Sequence, residues 1–214
     1  MKKIIPLIII VLAFGFSSCK KDEIHNTDTK VGISDVTVYP VLTMAGSPYV
    51  SIVQGGTYTE AGVTAKEGTS TIDVTTTGSV NTSQPGLYVI TYSATNKDGF
   101  PATVLRTVVV LSAHENPGVD LSGKYDYVAG GYTSTVTKVA EGVYTTDNVW
   151  NAATIIPIVF VSLDGLTISV PNQSTGYGPI FGTGTYNPAT KRLVYTLSLS
   201  NYGISNSNRN WQKQ

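Results

Sequence analysis

The stretch QPGLYVITYSATNKDG, residues 84–99, decides how the first half of this chain folds. Tyr88, Ile90, Tyr92 and Ala94 recur at every second position, the side-chain period of a β-strand, so they share one face. Asn96-Lys97-Asp98-Gly99 then supplies the residue types of a hairpin loop. A second strong strand pattern, residues 104–111, follows it.

The same rhythm extends outward. Short β runs separated by turn residues fill residues 33–112, at the spacing of a sandwich. Asn116-Pro117-Gly118 can neither continue a ladder nor start a helix, so residues 113–118 read as a linker. Residues 119–214 form a second β unit. Strand patterns at 124–128 and 132–139 flank Gly130-Gly131, a two-residue hairpin turn suited to positive φ. Further runs cover 143–146, 154–162, 166–170, 181–186 and 192–200. Pro157 interrupts one of them and places it on an edge or at a bulge. Seven or eight hairpin-linked strands in so few residues imply an antiparallel meander, closed as a β-barrel or flattened as a sandwich. The chain is therefore all-β, in two domains.

Three segments carry a resemblance. GGTYTEAGVTA (55–65), the run 78–99 and RTVVV (106–110) are similar to a family of bacterial immunoglobulin-like domains, common in surface proteins as spacers. The family usually has Asp where this chain has Glu60 and Asn96. The resemblance implies an immunoglobulin-like sandwich. In such a sandwich the Tyr88 phenol bonds back to the preceding turn, and Ile90 stands where a disulfide cysteine would be, so packing holds the core. LSGKYDY (121–127) and VTKVAEGVY (136–144) resemble the C-terminal domains of small Bacteroidetes lipoproteins. In that group an immunoglobulin-like domain precedes a lipocalin-like β domain of unassigned function.

The amino terminus is consistent with that group. Lys2 and Lys3 precede a nearly all-apolar run at 4–16, then Ser17 and Ser18, so residues 1–18 read as a signal peptide. Cys19, the only cysteine, stands directly after the two small residues. It resembles a lipobox, although Phe16 occupies the position where that motif prefers Leu. A lone cysteine has no internal disulfide partner, and an exported protein rarely leaves a thiol free. Cys19 is thus the expected lipidation site, and residues 19–32 the expected tether to the membrane. Lys20-Lys21-Asp22-Glu23 resembles the export signal of Bacteroidetes surface lipoproteins, or is a solvated charged tether. The expected location is the outer membrane, with the protein lipid-anchored and exposed at the surface.

Chemistry is sparse. Lys and Arg number 14, as do Asp and Glu, so no net basic charge draws nucleic acid. His25 and His114 lie in the tether and the linker and have no metal-spaced partner. No Gly-x-Ser-x-Gly elbow occurs, and GTGTYN (182–187) lies in a strand with no helix after it. No cofactor is implied. The carboxylates of the second unit are Asp120, Asp126, Glu141, Asp147 and Asp164. A glycoside hydrolase would need two of them facing across a cleft. Binding is the stronger expectation. Both tryptophans and eight of the 13 tyrosines lie in the second unit. Trp150, Tyr177 and Tyr132 flank loops, with Asn148 and Asn151 beside Trp150 and Trp211 near the end of the chain. Such aromatics stack on a sugar ring while amides bond its hydroxyls, or else they pack over a barrel end. The expected function is a non-catalytic surface protein whose second domain binds an extracellular ligand, with a glycan as one class. The alternatives are docking on another outer-membrane protein and a small glycosidase.

Overall fold

A computed structural model describes Lys30, Val31 and residues 34–116 and 118–214. The expected signal peptide, Cys19, the export-signal residues and His25 lie outside the described residues, as does Pro117 of the linker. The chain divides into two compact units, residues 1–37 and 38–214. In the first, β1 (Lys30–Val31) pairs antiparallel with β2 (Ser34–Asp35), a short ladder where the tether was expected to run without structure.

The second unit begins with an immunoglobulin-like sandwich. One sheet has the order β3 (Pro40–Met44), β5 (Val63–Glu67), β6 (Ser70–Ile72). The other has the order β4 (Tyr49–Val53), β9 (Pro101–Leu111), β8 (Gly86–Thr95), β7 (Thr75–Thr77), with β4 parallel to β9. Ile90, Tyr92 and Ala94 are buried, as the alternation requires, and Tyr92 and Ile90 pack with Val108 between the sheets. The Tyr88 hydroxyl donates to the Gln84 carbonyl at 2.8 Å, closing the tyrosine corner.

Both departures from the family pattern have physical reasons. Asn96 Oδ1 accepts from the Phe100 N–H at 2.7 Å, as an aspartate would. Its Nδ2 also donates to the Val38 carbonyl at 2.8 Å, which an aspartate could not do. Glu60 extends one methylene further than Asp and meets the buried Arg106 guanidinium at 2.8 Å. It also accepts from the Gly62 N–H at 2.8 Å and from the Tyr58 hydroxyl. Burial pushes the Tyr58 pKa up to about 12, reinforced by the adjacent Glu60.

Residues 119–214 form a closed barrel of eight antiparallel strands, so the flattened-sandwich alternative falls away. In order these are β10 (Gly123–Tyr127), β11 (Thr133–Ala140), β12 (Val143–Thr146), β13 (Ile158–Val161), β14 (Thr167–Thr175), β15 (Gly178–Asn187), β16 (Arg192–Leu199) and β17 (Ile204–Lys213). A short 3₁₀ turn, Ser200–Tyr202, precedes β17. The interior is filled by Tyr125, Tyr144, Phe160, Tyr195, Leu197 and Trp211 with their neighbours. Tyr144 and Phe160 stack at 5.4 Å, and Tyr195 meets Phe160 edge-on at 5.7 Å. The glycines of GTGTYN serve this packing. A Cβ at Gly184 would lie 2.7 Å from the Val194 carbonyl oxygen and 3.3 Å from the Tyr195 ring.

Two local expectations change. Gly130-Gly131 belongs to a five-residue loop between Tyr127 and Thr133, not to a two-residue turn. Pro157 precedes β13 rather than interrupting it, because the strand starts only at Ile158. Pro171 does lie within a strand, where β14 is bulged between Val170 and Gln173. There the Gln173 side chain replaces the missing backbone pairing. It accepts from the Val159 N–H at 2.8 Å and donates to the Val159 carbonyl at 2.7 Å.

The two β domains also share a core. Val108 and Val110 alternate with Val109 and Leu111, and all four are buried. Val109 and Leu111 pack against Val143 and Val159 on the outside of the barrel, with Leu87, Tyr49 and Val161 around them. The linker is pinned as well. Glu115 accepts from Lys138 Nζ at 2.7 Å and from the Gly142 N–H at 3.0 Å. His114 pairs with Glu141 at 2.9 Å. The sandwich of β3–β9 and the barrel of β10–β17 are thus distinct, joined by an apolar contact.

Leu111→Ala is expected to cost about 2–4 kcal/mol, the usual range for emptying a well-packed leucine site. In calorimetry the wild-type sandwich and barrel should melt in one transition and Leu111→Asp in two. Two separated transitions in the wild type would refute the shared core.

A second expectation concerns acid. Burial acts to raise the Glu60 pKa, but the Tyr58 hydroxyl, the Gly62 amide and Arg106 outweigh it and hold it below its ordinary 4.5. A carboxylate with a depressed folded pKa adds stability that is fully present above its unfolded value and is lost as pH falls through the folded one. Denaturant melts at pH 7, 5 and 3 should therefore show an acid loss that is smaller in Glu60→Gln.

Candidate functional site

The strand directions sort the barrel loops into two sets. The turns at 141–142, 162–166 and 188–191 lie at one end, beside the linker. The loops 128–132, 147–157, 176–177 and 200–203 lie at the other, distal end. The residues singled out from the sequence fall mainly at the distal end, but with different exposure.

The loop 147–157 is built around Asn148. Its Oδ1 accepts from the N–H groups of Trp150 at 2.9 Å and Ile156 at 3.1 Å, and its Nδ2 donates to the Asn151 carbonyl at 2.8 Å. Asn148 is 1% exposed, so its amide organises the loop and has no free edge for a ligand. Asn151 Oδ1 accepts from Ala153 at 2.9 Å and Thr154 at 2.7 Å. Trp150 is 5% exposed and packs in the barrel core, with the Arg209 guanidinium 3.8 Å above its ring. A cation over an indole face is a favourable desolvated contact, and it occupies the face a sugar would use.

Trp211 is 1% exposed, and its ring lies 5.0 Å from Tyr127 and 6.5 Å from Tyr132. The expectation that Trp150, Asn148 and Trp211 meet a ligand is therefore corrected. Asn148 and Trp150 are buried because the loop folds inward over the interior, and Trp211 because it is the inward-facing aromatic of β17. Tyr132 is half-buried against the same core, beside a shallow hollow edged by Asp126 and Gly131.

Tyr177 lies at the surface. It is 38% exposed, and its ring lies 6.4 Å from Tyr202, which is 62% exposed. The turn is held by Thr175, whose Oγ1 donates to the Gly178 carbonyl at 2.7 Å and accepts from the Tyr177 N–H at 3.1 Å. Gly178 has φ +96°, and a Cβ there would lie 2.2 Å from Asn201 Nδ2, so only glycine lets the two loops meet. Tyr202 was missed in the sequence because it follows a strand pattern and belongs to no motif. Its one signal is the turn glycine after it, Gly203 at φ +64°.

The carboxylates have local partners. Asp147 Oδ1 accepts from Ser134 Oγ at 2.6 Å and the Thr135 N–H at 2.9 Å. Asp126 accepts from Thr133 Oγ1 at 2.6 Å, and Asp120 from the Ser122 N–H at 2.8 Å. The Ser122 N–H, more than any other contact, holds the Asp120 pKa down. Burial acts to raise the Asp164 pKa, but the N–H groups of Thr167 and Leu166 keep it below the usual range. The His114 contact lowers that of Glu141.

Residues 42–110 match the family model of bacterial surface proteins described as an Ig-like domain. Among solved structures, the chain is similar to the lipoprotein BT2262 from Bacteroides thetaiotaomicron. The identity is 22% and the TM-score 0.39, over 82% of this chain and 100% of that one. No curated protein matches the chain.

Trp150→Ala is expected to lose about 3–5 kcal/mol of stability, as for a large aromatic removed from a core. Tyr177→Ala should stay within about 0.5 kcal/mol of wild type, as for a surface change. Urea melts at one pH compare them directly, and the reverse order would return Trp150 to the surface.

Proposed function

We propose that this protein is a non-catalytic, lipid-anchored protein of the outer-membrane surface, in which the immunoglobulin-like domain holds the barrel away from the membrane and the distal end of the barrel meets an extracellular glycan. One observation carries the reading. Val38, where the chain joins the sandwich, is bonded to Asn96 at the β8–β9 hairpin tip, and Tyr39 lies 5.4 Å from Phe100 there. The chain leaves the sandwich at Leu111, at the other end of an 11-residue strand. At about 3.3 Å per residue that strand spans roughly 35 Å. Membrane-side and barrel-side connections are thus at opposite poles.

Other features agree. Cys19 after Ser17-Ser18 suits a lipid anchor, and several acyl chains hold a protein on a membrane durably. The family model matched by residues 42–110 describes bacterial surface proteins. Tyr177 and Tyr202, with Asn201 between their loops, offer aromatic faces and an amide to a sugar. Asp120 caps a local turn, and Asp126 and Asp147 accept from hydroxyls of β11, an arrangement suited to structure rather than to glycosidic cleavage. Docking on another outer-membrane protein is the second reading, favoured by Phe181, an exposed aromatic on the outer wall of the barrel.

Two experiments test the proposal. Cys19→Ser should abolish lipid labelling and move the protein out of the membrane fraction. On a glycan array, the wild-type protein should bind at least one glycan family, and Tyr177→Ala with Tyr202→Ala should weaken that binding by about tenfold or more at unchanged melting temperature. A blank array would remove the glycan reading and leave the docking one.

A further inference from the structure

A concavity lies between the two β domains, lined from both of them. Its volume is about 830 Å³, within the range of about 300–1,000 Å³ usual for small-molecule sites, which favour domain interfaces. Leu87, at the start of β8, lies in one wall, and the floor is apolar, with Leu111 and Val161. The opposite wall is the outer face of β14, where Thr167, Ser169 and Asn172 are exposed.

The walls differ in chemistry and are both held in place. Leu87 is held by its packing against Val109 and Leu111 in the shared core. The bulge at Pro171 turns Asn172 outward, and the Gln173 amide secures the ladder beside it. Bulges recur where a strand must re-aim a side chain. Charge is nearly absent. No Lys or Arg occurs among the described lining residues. Asp164 is the one carboxylate, and its Oδ1 already accepts from Leu166 at 2.8 Å and Thr167 at 2.6 Å. His114 is paired with Glu141.

We propose that this cleft is a second binding site, for a neutral, hydroxyl-rich ligand with one apolar face, the chemistry of an uncharged oligosaccharide. The apolar face of a ring rests on Leu87 and Val161. Its hydroxyls meet the hydroxyls of Thr167 and Ser169 and the amide of Asn172. An acidic chain finds no cation here and faces Asp164. The site stands apart from the distal tyrosines and does not depend on them.

The test is calorimetric titration of the full-length protein in detergent with uncharged glucan, mannan and xylan oligosaccharides, and with an oligogalacturonate. At least one uncharged oligosaccharide should bind and the acidic one should not. Ser169→Trp, which fills the cleft from an outward-facing position, should weaken binding by about tenfold or more. Thr167→Val and Asn172→Ala should each weaken it several-fold, the loss of about one hydrogen bond. These two decide the matter if Ser169→Trp melts abnormally. Tyr177→Ala with Tyr202→Ala should leave unchanged the binding that the cleft variants weaken. The cleft site is overturned if no uncharged oligosaccharide binds, if the acidic one binds equally well, or if the cleft variants titrate like wild type. Binding lost only in the tyrosine pair would support the distal site and overturn this one.

Discussion

Val109 and Leu111 leave the sandwich and enter the side of the barrel, and much of the architecture depends on that contact. One strand end serves two cores, because Val108 and Val110 face the sandwich sheets while Val109 and Leu111 face β12 and β13. Each fully buried aliphatic side chain contributes on the order of 1.5–3 kcal/mol. The contact therefore resists the hinge motion expected of a polar linker. It also sets the direction of the barrel, the distance between the domains and the existence of the cleft. Glu115 and His114 pin the chain just beyond it.

Within the barrel, closure depends on a strand with little apolar character. β17 reads ISNSNRNWQK, yet it pairs with β16 along most of its length and with β10 at Tyr127 and Trp211. Backbone hydrogen bonding makes it a strand, and closing the ring removes the exposed edges of the meander. Trp211 contributes the large buried side chain of this strand, so it belongs to the closure rather than to a binding face. A hydroxyl-to-backbone device recurs in both domains. Tyr88 bonds to the carbonyl four residues earlier, and Tyr125 does the same to Leu121 at 2.7 Å.

The polar groups of the barrel follow one pattern. Asp120, Asp164 and Asn187 accept from backbone N–H groups two or three residues ahead, the ordinary work of Asx turns. The two carboxylates, Asp120 and Asp164, are held below their usual pKa by these backbone donors. Chemistry at the surface thus falls to neutral hydroxyls, amides and aromatic rings, both at the distal end and in the cleft.

What the sequence determined by itself is what local periodicity and turn chemistry encode. The alternation at 88–94, the hairpin at 96–99, the tyrosine corner and the break near 116 are all interactions between residues close in the chain. They are legible there, and so is the all-β, two-domain plan. The tertiary structure alone decided which faces stay open. Trp150 sits in a polar, turn-rich stretch that reads as surface, but Asn148 folds the loop inward and Arg209, 59 residues on, covers its ring. Tyr177 and Tyr202 meet because Gly178 admits Asn201. The unbroken VVVL at 108–111 held the one sequence signal of the domain contact, since an alternating strand with both faces apolar must bury both. Its second partner could not be read, because a packing face records that it is covered and not by what.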